Sequence, residues 1–170
     1  MPSRLQQARA AVLFAALLAG CGSARHTPSP THTSAAADCP GPNLTGGAAS
    51  WRTTVEPVYE AACTADEGAL ARLIEGGQGS VGGFATNACE GCRAGEMVAL
   101  WRQEYGAGPA ALARLLETAP HLSQGGITYA STDRLAVFAR GAGEIPAQWS
   151  GFYPDCEAEP LCRTLADEAG

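Results

Sequence analysis

A pair of cysteines separated by two residues is the pattern in this chain that is most typical of chemistry. Cys89-Glu90-Gly91-Cys92 stands directly before a segment with helical periodicity. Such a pair at the start of a helix can act in thiol–disulfide exchange, because the helix end lowers the pKa of the first thiol. The preceding residues 82–88 do not have the pattern of the long buried strand in a thioredoxin-like unit. We therefore favour a structural disulfide, with redox activity as the weaker hypothesis.

Other patterns of catalysis or metal binding are missing from the sequence. His121 is the one histidine beyond residue 50, and Ser123 and Asp133 lie near it in the chain. A catalytic triad is defined by its arrangement in space, so this proximity predicts nothing. Zinc needs four ligands, which this spacing of cysteine and histidine does not supply. We predict no catalytic residue, no cofactor and no bound metal; whether the domain is an enzyme stays open, and a non-enzymatic role is favoured.

The first 21 residues resemble the signal peptide of bacterial lipoproteins. A short N-terminal segment with two arginines is followed by an uncharged apolar run over residues 10–19. This run is shorter than the ~20 residues of a spanning helix but suits the apolar region of a secretory signal. Leu18-Ala19-Gly20-Cys21 then resembles the lipobox. The resemblance implies cleavage of the signal peptide 1–20, lipidation of Cys21 with palmitate-like acyl chains, and a protein anchored to the cell membrane, facing outside the cytoplasm.

The net charge limits the classes of partner, and the composition divides the mature chain into a tether and a globular domain. Loss of residues 1–20 removes two arginines, so the formal net charge changes from −6 to −8. An acidic surface argues against nucleic acid as a partner. Residues 21–50 are rich in Ser, Thr, Pro, Ala and Gly, with Leu44 as their one large apolar residue, and are predicted to be a flexible tether. Residues 51–170 are predicted to form one globular domain.

The six cysteines that remain after Cys21 predict three disulfides. Their number is even, and an extracytoplasmic location permits oxidation. The sequence leaves the pairing open, although proximity favours Cys156 with Cys162. A bond from Cys63 to Cys89 or Cys92 would join an early helix to a later one. The candidates are Cys39, Cys63, Cys89, Cys92, Cys156 and Cys162.

Periodicity predicts about four short helices in the first part of the domain. Pro57 is placed in the first turn of a helix that ends near Cys63. Thr64 and Glu67 match a capping box at the start of the second helix. A third helix is predicted near residues 94–105, and a fourth opens at Gly108-Pro109. Between the second and third helices, residues 78–88 with Val81 and Phe84 are predicted to include a short irregular strand.

A small antiparallel sheet is predicted to follow the helices. Residues 127–129 and 135–139 alternate between apolar and other positions, and residues 131–134 form a turn between them. One more short strand is predicted near residues 149–153. The fold class is therefore α+β: about four helices, then a small sheet built on a β-hairpin, stapled by disulfides.

Two groups of aromatic residues can belong either to the core or to a binding site. Trp101 and Tyr105 share a helix face with Met97, which is more typical of core than of a ligand pocket. Trp149, Phe152 and Tyr153 form the second group. Their rings can cap the core, or they can stack on sugars or hold a peptide, and a place in the core is again favoured. The candidate ligand-binding residues are Trp101, Tyr105, Trp149, Phe152 and Tyr153.

Together these features predict a lipid-anchored cell-envelope protein that binds an envelope polymer or a protein. Its partners are the membrane, through the lipid on Cys21, and an unidentified envelope component. One alternative is a small-ligand protein or enzyme similar in shape to the nuclear-transport-factor-2 superfamily. Its pocket would lie under the sheet and use His121 or the Trp101 and Tyr105 face. The weaker alternative is a thiol–disulfide oxidoreductase that uses Cys89 and Cys92.

Overall fold

Four α-helices precede a four-stranded antiparallel sheet, which confirms the predicted α+β class. A computed structural model describes residues 39–77, 83–141, 143, 145–157, 160 and 162–164. The signal peptide, Cys21, most of the tether and Val81 lie outside these residues. The helices are α1 (Arg52–Cys63), α2 (Glu67–Gly77), α3 (Ala94–Gln103) and α4 (Pro109–Leu116), after a 3₁₀ turn at Ala48–Trp51. The strands are β1 (Pro120–Leu122), β2 (Gly126–Ala130), β3 (Leu135–Ala139) and β4 (Gln148–Tyr153).

The strands follow one another across the sheet in chain order, so each neighbouring pair is a hairpin. The predicted hairpin is β2–β3, in which Ala130 pairs with Leu135 at the turn. Ser131 closes this turn, because its Oγ accepts the Arg134 N–H at 3.1 Å. The sequence patterns did not indicate the edge strand β1. Pro120 fits there because an edge strand tolerates a residue without an N–H.

One face of the sheet packs against the helices and forms the main core. Alternation along β2 and β3 places Ile127, Tyr129, Ala136 and Phe138 on this face, and all four are buried. The helices contribute the other side of the same cluster. Its large helical members are Val55, Val58, Leu70, Ile74, Met97, Val98, Trp101, Leu112 and Leu116.

The opposite face of the sheet is covered in part by the C-terminal segment. Ala130 and Leu135 project from this face and form a second buried cluster with Cys156 and Cys162. The Cys156 N–H also donates to the Asp133 carbonyl at 3.0 Å. The Cys156–Cys162 disulfide therefore covers part of the sheet face that does not pack against the helices.

Residues 39–50 belong to the folded domain, although the sequence placed the domain boundary after residue 50. The Asn43 N–H donates to the Leu116 carbonyl at 2.8 Å, and the Tyr129 hydroxyl donates to the Asn43 carbonyl at 2.8 Å. Leu44 packs against the main core. The low apolar content of this segment hid its attachment, because backbone groups of Gly41 and Asn43 make its hydrogen bonds to α1, α4 and β2.

The boundaries of the first two helices differ from the prediction. Helix α1 begins at Arg52, so Pro57 lies inside the helix rather than in its first turn. Thr64 does not cap α2; its hydroxyl donates to the Glu60 carbonyl at 2.7 Å and so closes the end of α1. Asp66 caps α2 instead, because its Oδ1 accepts the Ala69 N–H at 2.8 Å.

The buried Tyr129 predicts a loss of stability at alkaline pH. Burial raises the pKa of Tyr129 to about 12, against about 10 in an unfolded chain. The neutral phenol therefore stabilises the fold fully below pH 10, and this contribution is lost as the pH rises from about 10 through about 12. The expected loss is about 2–3 kcal/mol in the free energy of unfolding, measured by urea denaturation across this range.

The control for this prediction is Tyr129→Phe, which keeps the ring but cannot ionise. At neutral pH it should cost about 1 kcal/mol, since the hydrogen bond to Asn43 is lost. Between pH 10 and pH 12 the variant should lose less stability than the wild type. Tyr59 does not affect this comparison, although burial also raises its pKa, because it is present in both proteins. Identical pH dependence in the two proteins would contradict the assignment.

Candidate functional site

The segment between α2 and α3 lies against the outer edge of β4. The Ala85 N–H donates to the Ser150 carbonyl at 2.9 Å, and the Ala85 carbonyl accepts the Phe152 N–H at 3.0 Å. These two bonds make a single parallel bridge between Ala85 and Gly151. The irregular strand predicted here is therefore one bridging residue within the described part of the segment. From this bridge the chain crosses to the start of α3.

Three disulfides join the six cysteines. Cys156 pairs with Cys162, as proximity predicted. Cys63 pairs with Cys39, so the suggested bond from Cys63 to Cys89 or Cys92 is wrong. The reason is that residues 39–43 return to the domain and bring Cys39 to the end of α1. Cys89 and Cys92 pair with each other, which is the pairing that a redox role requires.

The Cys89–Cys92 disulfide lies in the wall of an open cleft. This cleft has a volume of about 820 Å³ and is lined by residues 83–87 and 89–92, by Met97 of α3 and by Tyr153 of β4. Met97 is buried, whereas Phe84 and Tyr153 are half-buried. A volume of this order is within the ~300–1,000 Å³ typical of ligand sites. We call this site the disulfide cleft.

Asn87 gives the disulfide cleft a fixed polar group. Its side-chain amide donates to the Asp155 carbonyl, which holds the side chain in place. Its Oδ1 is buried and has no hydrogen-bond partner among the described residues. A buried acceptor without a partner is costly, by ~1–3 kcal/mol, and a ligand N–H or O–H gains this energy if the loop around Asn87 moves to expose the oxygen.

The charge at the disulfide cleft is negative. Glu90 is exposed between the two cysteines, and none of the described residues that line the cleft is basic. The Glu96 carboxylate accepts the Arg93 N–H at 3.1 Å at the start of α3. That bond reduces the positive potential of this helix end. The electrostatics therefore favour an uncharged or cationic ligand over an anionic one.

Trp101, Trp149 and Phe152 are core side chains. Each is at most 3% exposed, and the ring centroid of Trp101 lies 4.7 Å from that of Phe152 and 5.9 Å from that of Trp149. Buried rings in mutual contact present no free face for a sugar or a peptide. Of the five candidate ligand-binding aromatics, only Tyr153 lines the disulfide cleft, and Tyr105 packs at the edge of the core.

Phe84 links the disulfide cleft to these core tryptophans. Its ring is 4.8 Å from Trp149 and 6.0 Å from Trp101, measured between centroids. The Trp101 Nε1–H also donates to the Thr86 hydroxyl at 3.4 Å. Sequence reasoning missed Phe84 and Asn87 as site residues. The signal that points to them is their position immediately before the cysteine pair, in a segment otherwise rich in glycine and alanine.

The structure does not assemble a triad from His121, Ser123 and Asp133. His121 lies in β1 opposite Thr128, and its Nε2 is buried without a partner among the described residues. The Ser123 hydroxyl instead bonds the Gly126 backbone at the β1–β2 turn. Asp133 lies at the opposite end of β2, where it accepts a hydrogen bond from Ser131.

Among the described residues, no group of three or more His, Cys, Asp or Glu side chains is arranged to hold a metal ion. Within the same residues, no helix is both long enough and apolar enough to cross a bilayer.

Comparison with known proteins found no match for this chain among family models, curated proteins or solved structures.

Proposed function

We propose that this is a lipid-anchored cell-envelope protein that binds a polypeptide segment in the disulfide cleft. The anchor is inferred from Leu18-Ala19-Gly20-Cys21, and the tether of residues 22–38 would hold the domain away from the membrane. The pairing of all six other cysteines supports an oxidising location outside the cytoplasm.

The observation that carries the binding role is the combination of groups in the cleft. Phe84, Met97 and Tyr153 offer apolar surface, and the Asn87 Oδ1 is an acceptor without a partner. A polypeptide supplies both complements, since its backbone carries N–H donors and its side chains can be apolar. The negative charge of Glu90 favours neutral or basic peptides. A polysaccharide is less suitable, because sugars stack on exposed ring faces, and Phe84 and Tyr153 are half-buried.

The ligand class is tested with three capped tripeptides that have phenylalanine, serine or aspartate in the centre, and with an oligosaccharide of N-acetylglucosamine. Binding to the full mature protein in detergent is followed by tryptophan fluorescence, because Phe84 contacts Trp149 and Trp101. Hydrogen exchange read by mass spectrometry then locates the protected segment. We expect the phenylalanine peptide to bind most tightly, the aspartate peptide least, and protection to fall on residues 83–93.

Two variants at equivalent half-buried positions make the matched control. Phe84→Ala should weaken binding of the phenylalanine peptide about tenfold, because apolar contact of roughly 1.4 kcal/mol is lost. Leu73→Ala should leave binding unchanged, since Leu73 lines a separate groove of about 480 Å³ between α1 and α2. Equal effects of the two variants, protection elsewhere, or tighter binding of the oligosaccharide would contradict the proposal.

A further inference from the structure

The three disulfides differ in burial and in the separation of their cysteines, and one of them lies in the wall of a cleft. Cys156–Cys162 is buried in the second core cluster. In Cys39–Cys63, Cys39 is exposed and Cys63 is half-buried, but the two cysteines are 24 residues apart, so this bond constrains the unfolded chain strongly. Cys89–Cys92 closes a separation of 3 residues, and both of its cysteines are half-buried in the wall of the disulfide cleft. This bond therefore contributes least to stability and faces a space that a ligand can enter.

The loop that carries this disulfide has its own attachments on either side. Before the loop, the Asn87 side chain bonds the Asp155 carbonyl, and the Ala88 N–H donates to the Thr86 hydroxyl at 3.2 Å. After it, Glu96 accepts the Arg93 N–H. In the described part of the chain, residues 89–92 make no hydrogen bond to another element. Cys89 and Cys92 also pack at the edge of the main core, but the attachments on either side of the loop do not depend on the disulfide and would remain when it opens.

We propose that the Cys89–Cys92 disulfide exchanges with cysteine thiols of a polypeptide bound in the disulfide cleft. A substrate thiolate attacks one sulfur, the Cys89–Cys92 bond breaks, and a mixed disulfide forms. A second substrate thiol, after losing its proton, attacks the mixed disulfide and releases the substrate in oxidised form. Two electrons and two protons pass from the substrate dithiol to Cys89 and Cys92, which become thiols. This inference rests on the proposed binding of polypeptide in the same cleft.

The position of α3 favours attack on Cys89. Contrary to the expectation from the sequence, the helix begins only after both cysteines, so its start is nearer to Cys92 than to Cys89. Cys92 then becomes the leaving thiolate, two residues before Ala94, the first residue of α3. The free N–H groups at a helix start and the neighbouring Arg93 stabilise a negative charge there. Glu90 and Glu96 oppose this effect. A lower thiol pKa makes a better leaving group in exchange.

The first test is to equilibrate the full mature protein in detergent with dithiothreitol and its oxidised form over a range of ratios. Free thiols are then alkylated and mapped by mass spectrometry. We expect Cys89 and Cys92 to be alkylated under conditions that leave Cys39, Cys63, Cys156 and Cys162 paired. Opening of all three disulfides at the same ratio, or of either other pair first, would overturn the inference.

The second test uses a short peptide that contains two cysteines and a phenylalanine. For the two single-cysteine variants the peptide is supplied in its oxidised form, with its own two cysteines joined, so that the remaining thiolate can open that disulfide. We expect Cys92→Ala to accumulate a mixed disulfide on Cys89, at least about tenfold more than Cys89→Ala accumulates on Cys92. In the wild type, the same peptide with serines in place of its cysteines should compete and slow the exchange. If the serine peptide binds but the disulfide does not open, exchange is disproved and peptide binding stands. If neither peptide binds, the proposed function fails as well.

Discussion

Replacement of Trp101 by alanine is expected to lower the free energy of unfolding by about 3–5 kcal/mol. The indole is 1% exposed. It lies where helix α3, strand β4 and the segment between α2 and α3, which contains Phe84, meet. Its ring contacts Phe152, Trp149 and Phe84, at centroid distances of 4.7, 5.9 and 6.0 Å. Alanine removes these contacts and leaves a cavity that three different elements would have to close. Urea denaturation followed by far-ultraviolet circular dichroism measures the loss.

Trp101→Phe is the matched control for this prediction. Phenylalanine keeps one aromatic ring in the site but cannot donate to the Thr86 hydroxyl, so a smaller loss is expected. The comparison also decides between the two interpretations of this residue. A tryptophan that lined a ligand pocket would be replaceable with little cost in stability, so a loss below about 1 kcal/mol in Trp101→Ala would contradict its assignment to the core.

Replacement of Cys21 by serine is expected to abolish lipidation and to remove the protein from the detergent-partitioning fraction of the envelope. A serine hydroxyl cannot form the thioether, and each buried CH₂ of the acyl chains contributes ~0.8 kcal/mol to membrane binding. The intact mass of the wild-type protein should lack residues 1–20 and should include a diacylglyceryl group. The variant should carry no lipid, and its apolar run over residues 10–19 is too short to replace the anchor as a spanning helix.

A double variant of Cys39 and Cys63, each replaced by serine, is the control for Cys21. It also removes thiols but leaves the lipobox unchanged, so its lipid and its partitioning should match the wild type. Its stability should fall, because a disulfide over this separation contributes about 3–4 kcal/mol. A wild-type chain that begins at residue 1 without lipid, or a Cys21→Ser protein that still carries it, would disprove the anchor.

Local patterns predicted the type and order of most elements. Apolar alternation predicted β2 and β3, which a short turn joins into a hairpin. Helical periodicity predicted both ends of α3 to within two residues, and it also predicted the start of α4. Errors arose where two neighbouring residues can make the same kind of hydrogen bond to the backbone. Thr64 and Asp66 can both cap a helix start; in the structure the Thr64 hydroxyl bonds back to α1, and Asp66 caps α2.

The site was predictable only in part. The cysteine spacing indicated the Cys89–Cys92 loop, and Tyr153 was among the candidate aromatics. Phe84 and Asn87 carry no periodic signal, because their segment is neither helix nor regular strand. They become site residues because Ala85 bridges β4 and because the Asn87 amide reaches Asp155, which is 68 residues further along the chain.

By itself the sequence determined the lipobox resemblance, the acidic charge, the even number of cysteines beyond Cys21 and the α+β order, since each depends on composition or on near neighbours. Only the tertiary structure decided which cysteines pair, where the domain begins and which aromatics are buried. These outcomes depend on contacts between residues far apart in the chain. Cys39 meets Cys63, and Asn43 meets Tyr129, only after the helices have packed on the sheet.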